Sequence, residues 1–149
     1  MALFKERFVE LKVKRLTESA KLPTYATEGS AAFDLYSDGV AQGFKTATHS
    51  TGLAFEIPED RVMLVFSRSG HGFKSDIRLA NCVGVIDSDY RGEVKVKLTS
   101  DSSAQIERFH RGDRVAQALI LPVECVQFIE VGELSGTVRG EGGFGHSGK

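Results

Sequence analysis

The sequence predicts an all-β fold in one domain, and three observations carry that prediction. Apolar residues alternate with polar ones in several short stretches, which is typical of strands with one buried face and one wet face. Turn residues recur about every eight to twelve positions between these stretches, as they do in β-sandwiches and β-barrels. The 149 residues suffice for one ordinary hydrophobic core.

The predicted strands fall into two groups. Three stretches alternate regularly and should each bury one face: residues 9–14 with Val9, Leu11 and Val13, residues 52–57 with Leu53, Phe55 and Ile57, and residues 93–98 with Val94, Val96 and Leu98. Four short apolar runs, at residues 61–66, 82–86, 114–121 and 126–131, suit more deeply buried strands. One helix is indicated near residues 104–112, where Gly112 cuts it short.

The composition is that of a globular protein and argues against several classes of function. Nineteen basic and twenty acidic side chains give a net charge of −1, so no basic excess points to nucleic acid as the main partner. The longest apolar run, residues 115–123, is far shorter than the roughly 20 residues of a membrane helix. The charged N-terminal stretch leaves no room for a signal-peptide core. With only Cys82 and Cys125, far apart in sequence, we expect reduced, buried thiols in a cytoplasmic protein.

Residues 84–98 are predicted to form a β-hairpin with acidic, aromatic and basic side chains at its tip. Aspartate and glycine occur in turns for conformational reasons alone, so a purely structural tip is one interpretation. Asp87 favours a catalytic interpretation, because it follows an apolar run directly and is expected at the rim of the core, where desolvation raises basicity. A carboxylate held there could polarise a water molecule.

Residues 66–72 form a second candidate site, a turn that follows a predicted buried strand. Arg68 offers a planar fork of donors that suits phosphate oxygens, and Ser69 adds a hydroxyl. Gly70 lets backbone N–H groups converge on an anion. A surface turn with an incidental arginine is the alternative. Gln117, inside an apolar strand, is either a structurally paired amide or a ligand contact.

The glycine-rich end of the chain spells G-x-G-x-x-G at residues 140–145. We do not expect a dinucleotide-binding loop there, because only four residues follow Gly145 and no helix can begin. The sequence also has no P-loop and no G-x-S-x-G nucleophile elbow. Its four histidines and two cysteines show no metal-ligand spacing.

Taken in order, five stretches resemble the motifs of the homotrimeric dUTPase family, namely residues 31–37, 67–70, 84–92, 112–117 and 139–148. The resemblance implies a jelly-roll-like β domain over residues 1–138 and a flexible arm, residues 139–149, that closes over the active site. It implies a homotrimer with three sites between subunits. Members cleave dUTP to dUMP and diphosphate, which keeps uracil out of DNA and supplies dUMP for dTMP synthesis. Mg²⁺ would be held mainly by the triphosphate and water.

The same resemblance implies a role for each matching residue. Asp87 matches the base that deprotonates the water attacking the α-phosphorus, and Tyr90 lies against the deoxyribose, where a ribose 2′-hydroxyl would clash. The hairpin backbone reads the uracil edge through Asn81, Gly84, Val85 and Ile86. The phosphate contacts are Arg68, Ser69, Gly70 and Gln117. The arm supplies Arg139 on the γ-phosphate, Phe144 over the uracil, and Gly145, His146 and Ser147. Asp34 supports the site, and a structural pairing with Arg114 is expected.

The sequence departs from the family pattern at a few positions and leaves two other functions open. His146-Ser147 stands where Ser-Thr is common, which would make arm closure depend on pH near about 6 to 7. Ser67 replaces a frequent proline, and Ala32 a frequent glycine. The alternatives are a dCTP deaminase of the same fold and a non-catalytic trimer that binds a nucleotide or a protein. The Asp-Tyr hairpin favours dUTP hydrolysis over both.

Overall fold

The computed structural model describes residues 8–146, and in this part of the chain the fold is nearly all-β, as predicted. The elements follow each other in the order β1 (Lys12–Arg15), β2 (Thr24–Tyr25), β3 (Phe33–Tyr36), β4 (Gly39–Gln42), β5 (Thr46–Ser50), β6 (Leu53–Glu56), β7 (Arg61–Phe66), α1 (Ser69–Ser75), β8 (Ile77–Leu79), β9 (Val83–Ile86), β10 (Lys95–Ser100) and β11 (Arg114–Pro122). No helix in this part is long and apolar enough to span a membrane.

The strands form three antiparallel sheets. Strands β1 and β6 make a two-stranded sheet, and β4, β5, β10 and β8 make a four-stranded one in that order. The third sheet has the order β2-β3-β11-β7-β9, so β11 lies in its middle and β9 at one edge. A register shift in β11 between Arg114 and Ala116 changes the pairing with β3 and places Gln117 opposite both Asp34 and Phe66.

The hydrophobic core is contributed by all three sheets. The alternation in β10 buries Val96 and Leu98 and exposes Lys95 and Lys97, as its period-two pattern predicts. Strand β6 buries Leu53, Phe55 and the intervening Ala54. Because each sheet presents one such apolar face, the sheets pack around one core cluster, which also includes Met63 of β7 and Val115 of β11.

The predicted helix and the turn expected after β7 were both wrong. Residues 104–110 contain no helix; Ile106 and Phe109 are buried, but the Ile106 N–H donates to the Phe44 carbonyl at 2.9 Å, and the Phe109 N–H donates to Gln42 Oε1 at 3.4 Å. The three-residue spacing of Ile106 and Phe109 is also that of a helix, which explains the wrong prediction. In the structure their backbone N–H groups instead donate to residues at the end of β4 and in the β4–β5 connection. Conversely, the expected turn after β7 forms the seven-residue helix α1, which has about two turns.

The predicted hairpin over residues 84–98 is divided between two sheets. Strand β9 pairs with β7, whereas β10 pairs with β5 and β8. The turn between them still exists, because the Tyr90 N–H donates to the Asp87 carbonyl at 3.2 Å. Strand β9 was expected to be deeply buried, but its edge position leaves Val83 38% and Val85 62% exposed.

The predicted strand over residues 126–131 is absent, and residues 121–140 are exposed throughout. The Val123 N–H donates to the Asp60 carbonyl at 3.0 Å, after which the chain leaves the body of the fold. Phe128 is 92% exposed and Ile129 76%. The prediction of buried thiols was also wrong, since Cys82 and Cys125 are both free and exposed. An apolar β pattern forms a strand only where it pairs with another strand, and within residues 8–146 no strand pairs with residues 126–131.

Candidate active site

The first candidate site, called here the arginine pocket, is lined by Asp34, Arg68, Ser69, Cys82, Arg114 and Gln117. Asp34 lies on β3 and is only 8% exposed, so its carboxylate needs protein partners. Arg68 Nε donates to Asp34 Oδ1 at 3.1 Å, and Arg114 Nη1 donates to Oδ2 at 3.4 Å. The expected pairing with Arg114 is therefore present, and Arg68 shares the same carboxylate.

This arrangement leaves the arginine pocket with a positive balance. One carboxylate neutralises one of two guanidinium groups, and Arg68 Nη1 is further held by the Arg114 carbonyl at 3.4 Å. Arg68 is thus fixed by two contacts at the start of α1 before any ligand is present. A pre-positioned guanidinium loses little side-chain entropy on binding an anion, which suits phosphate oxygens.

Gln117 has the structural partner that one interpretation of the sequence required. Its Nε2 donates to the Ser67 carbonyl at 3.0 Å, which ties β11 to the end of β7. The hydroxyl of Ser67 in turn accepts the Leu79 N–H at 2.9 Å. Ser67 and Gln117 therefore hold the segment that carries Arg68 against β8 and β11.

Ser69 and Gly70 begin α1, and the side chain of His71 faces inward. The N–H groups of His71 and Gly72 donate to the Arg68 carbonyl at 3.1 and 3.2 Å. The His71 ring packs edge-on against Phe109, with 5.5 Å between the ring centroids. Burial, followed by the nearby Arg68 charge, lowers the pKa of His71 below its usual value. A neutral imidazole is therefore the form that anchors α1 at neutral pH.

The second candidate site, called here the tyrosine pocket, lies where the chain leaves β9. It is lined by Val85, Ile86, Asp87, Tyr90, Glu93, Val94 and Lys95. Asp87 is exposed, so the expected position at the rim of the core is wrong for the single chain. The reason is the edge position of β9, beyond which no further strand lies among residues 8–146.

Tyr90 is held in the tyrosine pocket by its neighbours in the chain. Its hydroxyl donates to the Glu93 carbonyl at 3.1 Å. The Glu93 carboxylate accepts the Gly52 N–H at 2.9 Å, which ties the turn to the start of β6. Glu93 and Lys95 were not among the predicted site residues. Their signal in the sequence is weak, because both stand at polar positions of the ordinary alternating stretch 93–98.

The backbone predicted to read a base runs along β9 between the two pockets. Asn81 lies exposed in the turn before β9, where Cys82 adopts a left-handed backbone with φ of 65°. Gly84 allows β9 to approach β7 closely, since a Cβ added there would lie 3.2 Å from Val65 Cβ. Ile86 pairs with Met63 at the far end of the strand.

The two pockets lie at opposite ends of β9. At one end Val83 pairs with Phe66, which lies two residues before Arg68. At the other end Ile86, the residue before Asp87, pairs with Met63. Asp87 lies four positions beyond Val83 along the chain, which corresponds to about 13 Å in an extended strand. Among the residues that the structure describes, none lines both pockets. One chain therefore carries the two sets of predicted site residues without bringing them together.

The glycine-rich arm contacts neither pocket in the part of it that is described. Arg139 Nε donates to the Gly142 carbonyl at 2.7 Å, and Phe144 is fully exposed with φ of 48°. Gly145 has φ of 91°, and the exposed His146 packs its ring against Gly142. Ser147 lies outside the described residues. Within residues 8–146, no cluster of three or more His, Cys, Asp or Glu side chains could hold a metal ion.

Comparison with known proteins decides which family these features belong to. The sequence profile of the dUTPase family matches residues 18–148, which is most of the chain. The chain belongs to the dUTPase family. The match spans both pockets and the described part of the arm, so they belong to one family domain.

Curated dUTPase relatives resemble this chain over nearly its whole length. A protein of Nautilia profundicola named deoxyuridine 5'-triphosphate nucleotidohydrolase is 45% identical over 143 residues, covering 95% of this chain and 100% of its own. The protein of the same name from Hydrogenobaculum is 41% identical over 143 residues, with 94% and 99% coverage. Both relatives therefore lack any sizeable domain beyond the length shared with this chain.

Solved dUTPase structures share the fold. The dUTPase of Staphylococcus bacteriophage 80alpha, solved with dUPNHPP, superposes with a TM-score of 0.80 at 28% identity and covers 94% of this chain and 99% of its own. The dUTPase of phage phi11 has a TM-score of 0.73 at 23% identity, which is evidence for the fold alone. The jelly-roll-like architecture implied by the sequence motifs is confirmed by these neighbours and by the three observed sheets.

Proposed function

We propose that this protein hydrolyses dUTP to dUMP and diphosphate, and that its active site forms between copies of the chain. The observation that carries the proposal is the presence, in a member of the dUTPase family, of a pre-positioned arginine pocket and an acidic Asp87–Tyr90 turn at opposite ends of β9. Relatives of more than 40% identity bear the name deoxyuridine 5'-triphosphate nucleotidohydrolase, and an 80alpha phage neighbour was solved with dUPNHPP.

In the proposed reaction Asp87 orients and deprotonates the water that attacks the α-phosphorus. Its exposure in the single chain lets it face a substrate, and a neighbouring copy would supply the desolvation that this chain does not. Arg68, Ser69 and Gln117 bind the phosphates. In such a reaction the protein forms no covalent bond to the substrate, so its contribution to catalysis comes mainly from positioning the reactants and neutralising the phosphate charge.

We place the uracil along the backbone of β9 and the deoxyribose against Tyr90. Main-chain reading fits Asn81, Gly84, Val85 and Ile86, because their backbone groups select a base edge whatever their side chains are. The exposure of Val83 and Val85 leaves that side of β9 open to a ligand or a second copy. Arg139 would bind the γ-phosphate, while Phe144 would stack on the uracil as the arm closes. The next arm residues would contact the phosphate groups, namely Gly145, His146 and Ser147.

The donor set of the arginine pocket fits a magnesium-bound triphosphate better than a free metal ion. Its one carboxylate, Asp34, is already shared by Arg68 and Arg114, so the pocket offers donors to phosphate oxygens and no open carboxylate. Mg²⁺ would therefore be held by the triphosphate and water, where it supplies charge neutralisation. Arg68 and Ser69 then act on the phosphate oxygens that the ion leaves free.

A homotrimer accounts for three features that a lone chain leaves without purpose. The two pockets lie at opposite ends of β9, where Val83 and Asp87 are about 13 Å apart along the strand. Residues 126–131 expose Phe128 and Ile129 almost completely. Strand β9 presents an open edge. Exposed apolar segments and open edges are the surfaces that closed symmetric oligomers cover.

The two free, exposed cysteines suit a reducing compartment, and we place the enzyme in the cytoplasm.

The deciding experiment measures diphosphate release from dUTP, dCTP, dTTP, dATP, dGTP and UTP by the purified protein. We expect release from dUTP in large excess over the others. Formation of ammonia or dUTP from dCTP would instead identify a deaminase. Tight binding of dUTP with no diphosphate release would identify a non-catalytic nucleotide-binding protein.

A further inference from the structure

Gly92 follows the acidic turn, and its backbone does not require glycine. It is not among the glycines with positive φ, so an ordinary residue could adopt its conformation. What excludes a side chain is Tyr90. A Cβ added at Gly92 would lie 2.6 Å from Tyr90 Cζ and 3.0 Å from Cε2, with the phenolic oxygen nearest of all. Contacts this short do not occur between real atoms, so the two groups cannot share the space.

Tyr90 is folded back over Gly92 by a defined chain of contacts. Its hydroxyl donates to the Glu93 carbonyl at 3.1 Å, and Glu93 is itself anchored by the Gly52 N–H at 2.9 Å. The ring is therefore held by a hydrogen bond, and the missing side chain of Gly92 leaves the space that it occupies. A side chain at position 92 would displace the ring from this position.

We propose that Gly92 is a specificity-positioning residue, which sets discrimination between deoxyribose and ribose by allowing the Tyr90 ring to lie where it does. This inference rests on the proposed function, in which Tyr90 lies against the sugar. Gly92 itself touches no substrate. It acts through Tyr90, because the absence of a side chain determines how close the ring lies to the turn and how much room remains for a 2′-hydroxyl.

Gly92→Ala is the direct test. The atoms that a methyl group would meet are at the far end of the Tyr90 side chain, which can rotate away, so we expect the turn to survive and the ring to move. The ratio of kcat/KM for dUTP to that for UTP should fall about tenfold, in the range expected for small changes of pocket shape. The thermal unfolding midpoint should stay close to that of the unsubstituted protein.

Gly39→Ala is the matched control. Gly39 lies in β4 with no positive φ, and a Cβ added there meets nothing within 4 Å. Its dUTP-to-UTP ratio should equal that of the unsubstituted protein. A ratio in Gly92→Ala that matches the control would overturn the proposal.

A double-substitution cycle decides whether Gly92 acts through Tyr90. Tyr90→Ala alone should lower the ratio, and adding Gly92→Ala in that background should change it little, since the clashing ring is gone. If Gly92→Ala lowers the ratio equally in both backgrounds, or if Tyr90→Ala leaves it unchanged, the proposal is wrong. Failure of the proposed function has a different signature, because the unsubstituted protein would then release no diphosphate from dUTP.

Discussion

Asp87 is the side chain on which the proposed chemistry depends most directly. Asp87→Asn keeps the size and hydrogen-bonding shape of the side chain but removes its ability to take a proton. We expect dUTP binding to be retained and kcat to fall by about 10²–10⁴. The measurements are single-turnover diphosphate release and equilibrium binding of dUTP.

Asp89→Asn provides the matched control for Asp87→Asn, because it removes one negative charge from the same exposed turn. Its kcat should stay within a few-fold of that of the unsubstituted protein, as expected of a surface charge change. An Asp87→Asn protein as active as this control would remove Asp87 from the role of base.

His49 makes the stability of the fold depend on pH. The side chain is fully buried in β5, with Nδ1 3.0 Å from Ser37 Oγ and its ring edge-on to Phe109 at 5.0 Å. Burial lowers its pKa from 6.5 to about 4; the negative charge of Asp113 opposes this shift, and the neighbouring His71 adds a smaller lowering effect. The unfolded chain therefore takes up the proton first as the pH falls.

The sign of the His49 effect follows from that order. Its contribution to stability is complete above about pH 6.5 and is lost as the pH falls toward 4, by on the order of 3 kcal/mol in total. Urea unfolding of His49→Leu should accordingly show a smaller loss of stability between pH 7 and pH 4.5. His110→Leu, at an exposed position, should retain the full loss. Equal losses in both variants would exclude His49 as the source.

Single residues illustrate what sequence can and cannot predict about the site. The Asp34–Arg114 pair could be predicted, because both residues match motifs whose mutual contact lies within one chain. The exposure of Asp87 and Cys82 could not be, because it depends on which neighbours cover the edge strand β9. Glu93 was missed for a related reason, since its role comes from a long-range bond to Gly52.

At the scale of elements, the period of two was reliable where both faces of a strand had different neighbours. It located β10, whose buried and exposed sides differ, and it also located β6, although Ala54 on the predicted wet side is buried together with Leu53 and Phe55. The apolar runs located β7 and β11. Residue spacing was misleading where the backbone N–H groups donate to segments distant in the sequence. A helix was predicted near residues 104–112 and a turn at residues 66–72, but the helix of the structure is α1 in the second segment. Residues 104–110 form no helix, because the N–H groups of Ile106 and Phe109 donate to another segment.

The arm is the element whose removal should separate catalysis from folding. Arg139 and the glycines that follow it make only local hydrogen bonds in the described part, and their side chains add nothing to the core. Deleting residues 139–149 should therefore leave the thermal unfolding midpoint nearly unchanged while dUTP turnover falls severely, since the proposed γ-phosphate and uracil contacts are lost. Differential scanning calorimetry and diphosphate release measure the two effects.

Arg139→Gln and Phe144→Ala are the point variants that match the arm deletion. Each should lower kcat/KM for dUTP by part of the effect of the deletion, without changing stability. An arm-deleted protein that unfolds at a much lower temperature would mean that the arm is structural. One that retains full turnover would mean that the arm takes no part in catalysis.

At the scale of the whole molecule, the separation of the two pockets predicts that substrate is shared between copies. Asp87 and Arg68 lie toward opposite ends of β9, and no residue lines both of their pockets. If the Asp87 of one copy works with the Arg68 of its neighbour, two inactive variants should restore each other. Asp87→Asn and Arg68→Gln, unfolded and refolded together in equal amounts, should regain about a quarter of the unsubstituted activity, because one interface in four pairs both intact residues.

The same arithmetic gives a control that distinguishes a shared site from one built within a single chain. The double variant Asp87→Asn/Arg68→Gln, refolded with an equal amount of unsubstituted protein, should also show about a quarter of full activity if the site lies between copies. If both residues act within one chain, that mixture should show about half, and the mixture of single variants should show none. Equal recovery of activity in the two mixtures would mean that each active site combines Asp87 of one copy with Arg68 of another. The open edge of β9 would then lie where two copies meet.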